Sequence, residues 1–230
     1  MIELHKVTKV YDSAKEPALK DINLKIASGE FVFVVGPSGA GKTTLIKLIF
    51  REQLPSAGRV LFCGRDTAKY KPRELLQHRR QMGIVFQDFR LLSQKTVFEN
   101  VAFTLEVLGR SPREIRRKVP QALEQVGLLG KENSFPSELS GGEQQRVGVA
   151  RAIAKDPLVL LADEPTGNLD PENAALLIDL FARINKENKT TVVIATHAWE
   201  IVGRMQKRVV SLDQGQLVGD EKQGGYSYVR

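Results

Sequence analysis

Eight consecutive residues, Gly36-Pro37-Ser38-Gly39-Ala40-Gly41-Lys42-Thr43, carry the plainest chemistry in the sequence. They fit the spacing G-x-x-x-x-G-K-[ST], and the backbone explains the spacing. Glycines without Cβ let successive amide N–H groups turn inward around phosphate oxygens, and the following helix adds the positive end of its dipole. Lys42 then reaches the β- and γ-phosphates as a point charge, the Thr43 hydroxyl is a ligand for Mg²⁺, and Thr44 completes the nucleotide-binding set. Further along, Leu158-Val-Leu-Leu-Ala-Asp163-Glu164 is an apolar strand that delivers two acids at its end, where ligands bind in open α/β sheets. Asp163 suits Mg²⁺, and Glu164, facing another direction, suits a base that polarises a water aimed at the γ-phosphate. The expected ligands are ATP and Mg²⁺. The structural alternatives are a plain strand-to-helix turn for the glycine-rich loop and a helix-start signal for the two acids.

A second run, Leu139-Ser140-Gly141-Gly142-Glu143-Gln144-Gln145-Arg146, opens a helix with Ser140 as N-cap and two glycines that expose backbone N–H groups. This is another anion site at a helix start, idle if one chain holds one nucleotide, so it points to two copies.

The run LSGGEQQR resembles the signature motif of the ABC (ATP-binding cassette) ATPases, and the resemblance extends over nearly all 230 residues. It implies an α/β fold of the P-loop NTPase type: a mixed sheet core with an N-terminal antiparallel β portion and a helical insertion subdomain. It also implies a head-to-tail homodimer on ATP binding, in which Ser140, Gly141 and Gly142 contact the γ-phosphate held by the other copy. By the same resemblance Tyr11 stacks on adenine, Gln87 senses Mg²⁺ and the attacking water, Asp170 lies in the loop crossing the dimer interface, and His197 contacts the γ-phosphate. Read alone, a tyrosine ending a strand, such as Tyr11, is more often a packing residue, and a lone histidine at a strand end, such as His197, is usually structural.

Within that family the stretches ADEPTGNLD, RRQMGIVFQDFRLLSQKTVFENVAFTLEVLG and FPSELSGGEQQRVGVARAI are most similar to the cell-division branch. Membership there implies an integral membrane partner of the FtsX type, activation of peptidoglycan hydrolases, and a peripheral position on the cytoplasmic face of the bacterial plasma membrane. The alternative is a lipoprotein-releasing or macrolide-type exporter, whose ADEPTGNLD is much the same. Ala198 and Phe50-Arg51 depart from common family residues without touching the phosphate site. Phe89, Leu91, Leu92, Val97 and Phe98 offer apolar anchors for the partner or, equally, a core for the insertion.

The elements that must position these residues follow from hydrophobic period. Segments 2–7 and 18–26 alternate as half-buried strands do, FVFVV at 31–35 reads as a strand buried on both faces, and TTLIKLIF reads as a helix. Strands at 59–63, 84–86, 159–163, 190–196 and 208–212 interleave with helices near 72–81 and 171–187 and a short one after residue 197, which predicts a parallel sheet. Val97, Val101, Leu105 and Leu108 mark one helix face, and Ile115, Val119, Leu123 and Val126 a second that Pro120 is expected to break or kink. The chain thus reads as a single ABC ATPase domain, with residues 1–87 and 136–219 as core, 88–135 as helical subdomain and 220–230 as a loose tail.

Composition narrows the class. The chain has no apolar run long enough to span a bilayer and no signal-peptide pattern, so it is expected to stay in the cytoplasm. Its one cysteine, Cys63, excludes an internal disulfide and reads as a buried spectator. A net charge of +7 suits nucleotides, nucleic acid or an anionic membrane. Nucleic acid is not expected as a partner, since the ABC relatives that act on DNA or ribosomes usually carry coiled coils, zinc modules or tandem cassettes, none of which is present. The run Arg110, Arg113, Arg116, Arg117 and Lys118 reads as a solvated face or a lipid contact.

Overall fold

The computed structural model describes residues 1–12 and 15–223. The chain begins with strands β1 (Ile2–Lys9), β2 (Leu19–Ile26) and β3 (Phe31–Val35), followed by helix α1 (Lys42–Ile49), β4 (Ala57–Phe62) and the short β5 (Arg65–Asp66). Then come α2 (Pro72–Arg80), β6 (Met82–Phe86), α3 (Val97–Val107), α4 (Pro112–Gln125), α5 (Gly141–Ile153) and β7 (Val159–Asp163). The described chain closes with α6 (Pro171–Asn188), β8 (Thr191–Thr196), α7 (Trp199–Met205), β9 (Arg208–Asp213) and β10 (Gln216–Glu221).

Two sheets result. The first runs β2-β1-β4-β5 and is antiparallel; alternate residues of β1 and β2 are buried, including Ile2, Leu4, Leu24 and Ile26, so one face is apolar. The second runs β10-β9-β3-β8-β7-β6 and is parallel except for β10. All five residues of β3 are buried, because both of its faces are covered. Val32 and Val34 pack with α1 and the antiparallel sheet. Phe31, Phe33 and Val35 pack on the other face, in one cluster with residues of α3, α4, α5 and α6.

Four local outcomes differ from the sequence reading. Pro120 does not break its helix: α4 runs unbroken from Pro112 to Gln125, and burial of Ile115, Val119 and Leu123 along one stripe outweighs the one missing backbone donor. Cys63 is exposed, because Cys63 and Gly64, both with positive φ, form the two-residue turn of the β4–β5 hairpin rather than continuing the strand. Asp220 and Glu221 close β10 instead of opening a loose tail, whose residues 224–230 lie outside the described part. Val97 is fully buried, so of the five expected apolar anchors Leu92 alone is exposed; Phe103 and Val107 present more apolar surface. No helix among the described residues is long and apolar enough to cross a membrane.

The sheet register sets up the site. Val35 pairs with Thr196, Asp163 with Ala195, and Phe86 with Asp163, so β3, β6, β7 and β8 end level with one another. Gly36, Gln87, Glu164 and His197 therefore emerge side by side at the carboxyl edge of the sheet. Behind Gln87, the buried Asn100 donates from Nδ2 to the carbonyls of Leu92, Lys95 and Thr96 and accepts the Leu92 N–H, which fixes the loop from β6 to α3.

Candidate active site

Gly36 leaves β3 with φ 151°, and a Cβ there would lie 2.1 Å from the Leu212 carbonyl oxygen, so no other residue fits this close passage beside β9. The loop then turns back on itself, with the Ala40 N–H donating to the Pro37 carbonyl, and α1 starts at Lys42. Lys42 is buried, at 6% exposure, and its ammonium donates to the carbonyls of Gly36 (2.8 Å) and Pro37 (3.0 Å). The charge is thus held over the mouth of its own loop. A phosphate oxygen placed there exchanges two neutral acceptors for a charged one.

The two acids at the end of β7 diverge, as the sequence leads one to expect, and the cause is visible. Glu164 sits in the left-handed region with φ 47°, while its N–H still donates to Ala195 O on β8. Asp163 accepts the Thr43 hydroxyl at 3.1 Å. Burial raises the Asp163 carboxyl above the ordinary carboxylate range, the Thr43 bond opposes this, and the neighbouring Glu164 charge adds to it. Glu164 instead places Oε1 3.3 Å from Lys42 Nζ and Oε2 2.8 Å from His197 Nδ1, and Oε2 also accepts the His197 N–H at 3.2 Å.

Lys42, Thr43, Glu164 and His197 share one cleft of about 640 Å³, lined by Pro37 through Thr44 together with Gln87, Glu164 and His197, while Gly36 and Asp163 stand outside its lining. Ala18 and Trp199 line it as well; neither was singled out from sequence, because an alanine next to a strand and a tryptophan beginning a short helix carry no motif. Gln87 is exposed at the rim and exchanges hydrogen bonds with Asn168: its Nε2 donates to Asn168 Oδ1, and Asn168 Nδ2 donates to the Gln87 carbonyl. Tyr11 stands outside the cleft lining, its hydroxyl 3.4 Å from Thr44 Oγ1 and its ring 4.9 Å from the Lys9 ammonium.

Ser140, Gly141, Gly142 and Asp170 do not line that cleft. Ser140 caps α5 through a reciprocal pair: its Oγ accepts the Glu143 N–H, and Glu143 accepts the Ser140 N–H, which holds the Glu143 carboxyl below its usual range. Gly141 is exposed. Asp170 caps α6, accepting both the backbone and side-chain N–H groups of Asn173; these bonds hold its carboxyl low. The two helix starts are neighbours, since a Cβ on Gly142 would lie 2.4 Å from Asn173 Oδ1.

The basic run is mostly occupied locally. Arg110 pairs with Glu114, Lys118 with Asp156, Arg116 donates to the Pro112 carbonyl and Arg117 to Gln121.

One chain therefore gathers the glycine-rich loop with two carboxylates, a glutamine and a histidine, and keeps a second helix start outside that cleft. The ABC transporter family model matches residues 19–167. The chain is 54% identical to the cell division ATP-binding protein FtsE of Mycobacterium tuberculosis over 230 residues, covering 100% of each chain. It is 50% identical to the FtsE of Bacillus subtilis over 226 residues, covering 98% of each. Among solved structures, a dimeric post-hydrolysis form of the ATP-binding cassette MJ0796 bound to ADP and Pi superposes with a TM-score of 0.87 at 37% identity, covering 98% of this chain and 100% of that one. The chain therefore belongs to the ABC transporter family as one of its ATP-hydrolysing cassettes.

Proposed function

We propose that this chain is the ATPase subunit of a cell-division complex of the FtsE type, in which two copies close head to tail over ATP and drive an integral membrane partner of the FtsX type. The observation that carries the reading is the position of Glu164, gripped between Lys42 and His197 inside the phosphate cleft, while the helix start at Ser140 lies off that cleft. A nucleotide in the cleft leaves Ser140, Gly141 and Gly142 with no phosphate of their own copy to hold. Asp170, joined to them through Asn173, then sits where the second copy meets the first. Full-length identity to FtsE proteins supports the cell-division assignment over an exporter. Closure and opening of the pair would be passed through the partner to peptidoglycan hydrolases, with this subunit peripheral on the cytoplasmic face of the membrane.

In this reading Tyr11 stacks on adenine and the loop Gly36 to Thr44 cradles the phosphates. Mg²⁺ fits the oxygen donors present, Thr43 Oγ1 and Asp163 Oδ1, with Gln87 at the rim. A carboxyl that burial makes costly to ionise is what a buried divalent cation would satisfy. When bound, the ion neutralises charge on the phosphate oxygens. Water attacks the γ-phosphorus in line, the bond to the β-phosphate bridging oxygen breaks with its electron pair leaving on ADP, and the water proton passes to Glu164. Lys42 trades its loop carbonyls for phosphate oxygens as ATP enters. That exchange also releases Glu164 from its ion pair.

Glu164→Gln tests the reading. The variant is expected to bind ATP, to lose hydrolysis, to elute as a dimer only with ATP, and to capture an FtsX-type protein from native membranes. A monomer with undiminished turnover would overturn the catalytic assignment, and capture of a lipoprotein-releasing permease instead would overturn the cell-division one.

A further inference from the structure

We infer that Gln145 is a positioning residue for hydrolysis, tying the helix that carries Ser140 and Gly142 to both residues that flank the attacking water. The inference rests on the roles of Glu164 and Gln87 given above.

The side chain of Gln145 is fully buried, at 0% exposure, within α5. Its Nε2 donates twice, to the Phe86 carbonyl at 3.0 Å and to the Pro165 carbonyl at 2.7 Å. Phe86 directly precedes Gln87, and Pro165 directly follows Glu164. A single amide group thus spans the ends of two neighbouring strands at the points where the chain leaves for the catalytic glutamine and the catalytic base. Its own oxygen, Oε1, is buried with no partner among the described residues. Stranding an acceptor in the interior is unfavourable, and the two bonds from Nε2 are what the burial of this amide secures in return.

A second strap comes from the same helix. Arg151 donates to the carbonyls of Phe89 and Arg90, two residues in the left-handed region at φ 53° and 49°. α5 therefore grips segment 86–90 at both ends, but it reaches the segment beyond Glu164 through Gln145 alone of these two. A phosphate engaging Ser140 at the start of α5 pulls on one rigid body whose other attachments set the aim of Gln87 and Glu164. The hydrolytic groups of one copy are then adjusted by the nucleotide of the other.

The experiment is Gln145→Met, which fills a similar volume with no donor, in the full-length chain, with steady-state ATPase kinetics and equilibrium binding of ATP. Turnover is expected to fall at least about tenfold, as displacement of catalytic groups does. The dissociation constant for ATP is expected to stay within about twofold, because neither the loop nor Lys42 touches Gln145. In a Gln87→Ala background the same change is expected to cost less than it does in the wild type, since only the part that acts through Glu164 is left to lose. Wild-type turnover in Gln145→Met, a fall matched by weaker ATP binding, or a full multiplicative loss in the Gln87→Ala background would each overturn the inference. Thermal unfolding accompanies each assay, and if Gln145→Met does not fold, Gln145→Leu is held to the same criteria. Gln87→Ala and Glu164→Gln are measured alongside: if they keep full turnover, the site assignment has failed, whereas if they lose it and Gln145→Met does not, only the role of Gln145 falls.

Discussion

Glu164 Oε2 lies 2.8 Å from Nδ1 of His197 and accepts the backbone N–H of the same residue at 3.2 Å. Two donors from one residue fix the carboxylate in rotation as well as in place. The strained left-handed backbone of Glu164 becomes intelligible beside this pair: it is the conformation that turns the carboxylate away from Asp163 and toward β8.

Removing the imidazole leaves the backbone donor. His197→Ala is accordingly expected to retain some hydrolysis, with turnover reduced about tenfold to a hundredfold, the scale on which a mispositioned catalytic group acts. ATP binding should be nearly unchanged, because His197 is not part of the phosphate loop. Steady-state kinetics beside an equilibrium binding assay decide the matter. Equal losses in both would mean that His197 holds ATP rather than aims the base.

Lys42 presents the opposite expectation. Its ammonium bridges the loop carbonyls of Gly36 and Pro37 and the Glu164 carboxylate, and it is the one buried cation at the mouth of the phosphate loop among the described residues. Lys42→Ala removes a charge-assisted bond to phosphate, of about 1.5 to 3 kcal/mol. This corresponds to a dissociation constant for ATP roughly ten to a hundred times weaker. Isothermal titration with ATP reads it directly, and unchanged affinity would show that Lys42 serves the apo loop only.

Asp163 should limit the stability of the nucleotide-free protein. Burial lifts its pKa above the ordinary 3.8. A carboxyl raised on folding adds stability below its unfolded pKa, and that contribution is lost as pH rises through the folded value. At neutral pH the ionised, part-buried group is therefore a net cost. Asp163→Asn, which can still accept from Thr43, is expected to raise the Tm of the apo protein at pH 7, by about 2 to 4 °C for each kcal/mol relieved, while abolishing Mg²⁺-dependent hydrolysis. The Tm gap between variant and wild type should shrink as pH is lowered toward 4. A gap that widens on acidification would contradict the raised pKa.

Much of this site was legible from spacing, and the reason is geometric. A phosphate loop needs its glycines and lysine consecutively, and β7 needs only its last two residues to be acidic, so Lys42, Thr43, Asp163 and Glu164 declare themselves in short strings. Tyr11, Gln87, Asp170 and His197 have no such string and were expected only through resemblance. Structure places Gln87 and His197 in the cleft, Tyr11 beside Thr44, and Asp170 at the cap of α6. Asn168 and Gln145 lie inside motifs but carried no role of their own in the sequence, because their importance lies in which distant carbonyl each one meets. Cys63, and the break expected at Pro120, went wrong for the complementary reason: local propensity set the expectation, and the burial stripe of α4 and the pairing of β4 with β5 decided the outcome.

The contact between Gly142 and Asn173 joins the two helix starts assigned to the second copy. A methyl group on Gly142 would fall 2.4 Å from Asn173 Oδ1 and 2.7 Å from its Cγ, closer than real side chains tolerate. Asn173 is not free to swing aside without loss, since both its backbone and side-chain N–H groups are committed to Asp170. Gly142→Ala is therefore expected to destabilise the fold by about 1 to 3 kcal/mol, the usual cost of overpacking. It should also lower ATP-dependent dimer formation, because displacing Asn173 loosens the Asp170 loop. Shortening the obstacle should relieve the clash, so the double variant Gly142→Ala, Asn173→Ala should recover most of the lost Tm. If it recovers stability without dimerisation, Asn173 matters for more than space: its amide is needed to hold Asp170 in the shape the second copy meets. If the double variant is less stable than Gly142→Ala by the full cost of Asn173→Ala alone, the two residues are uncoupled and the link between the helix starts is not real.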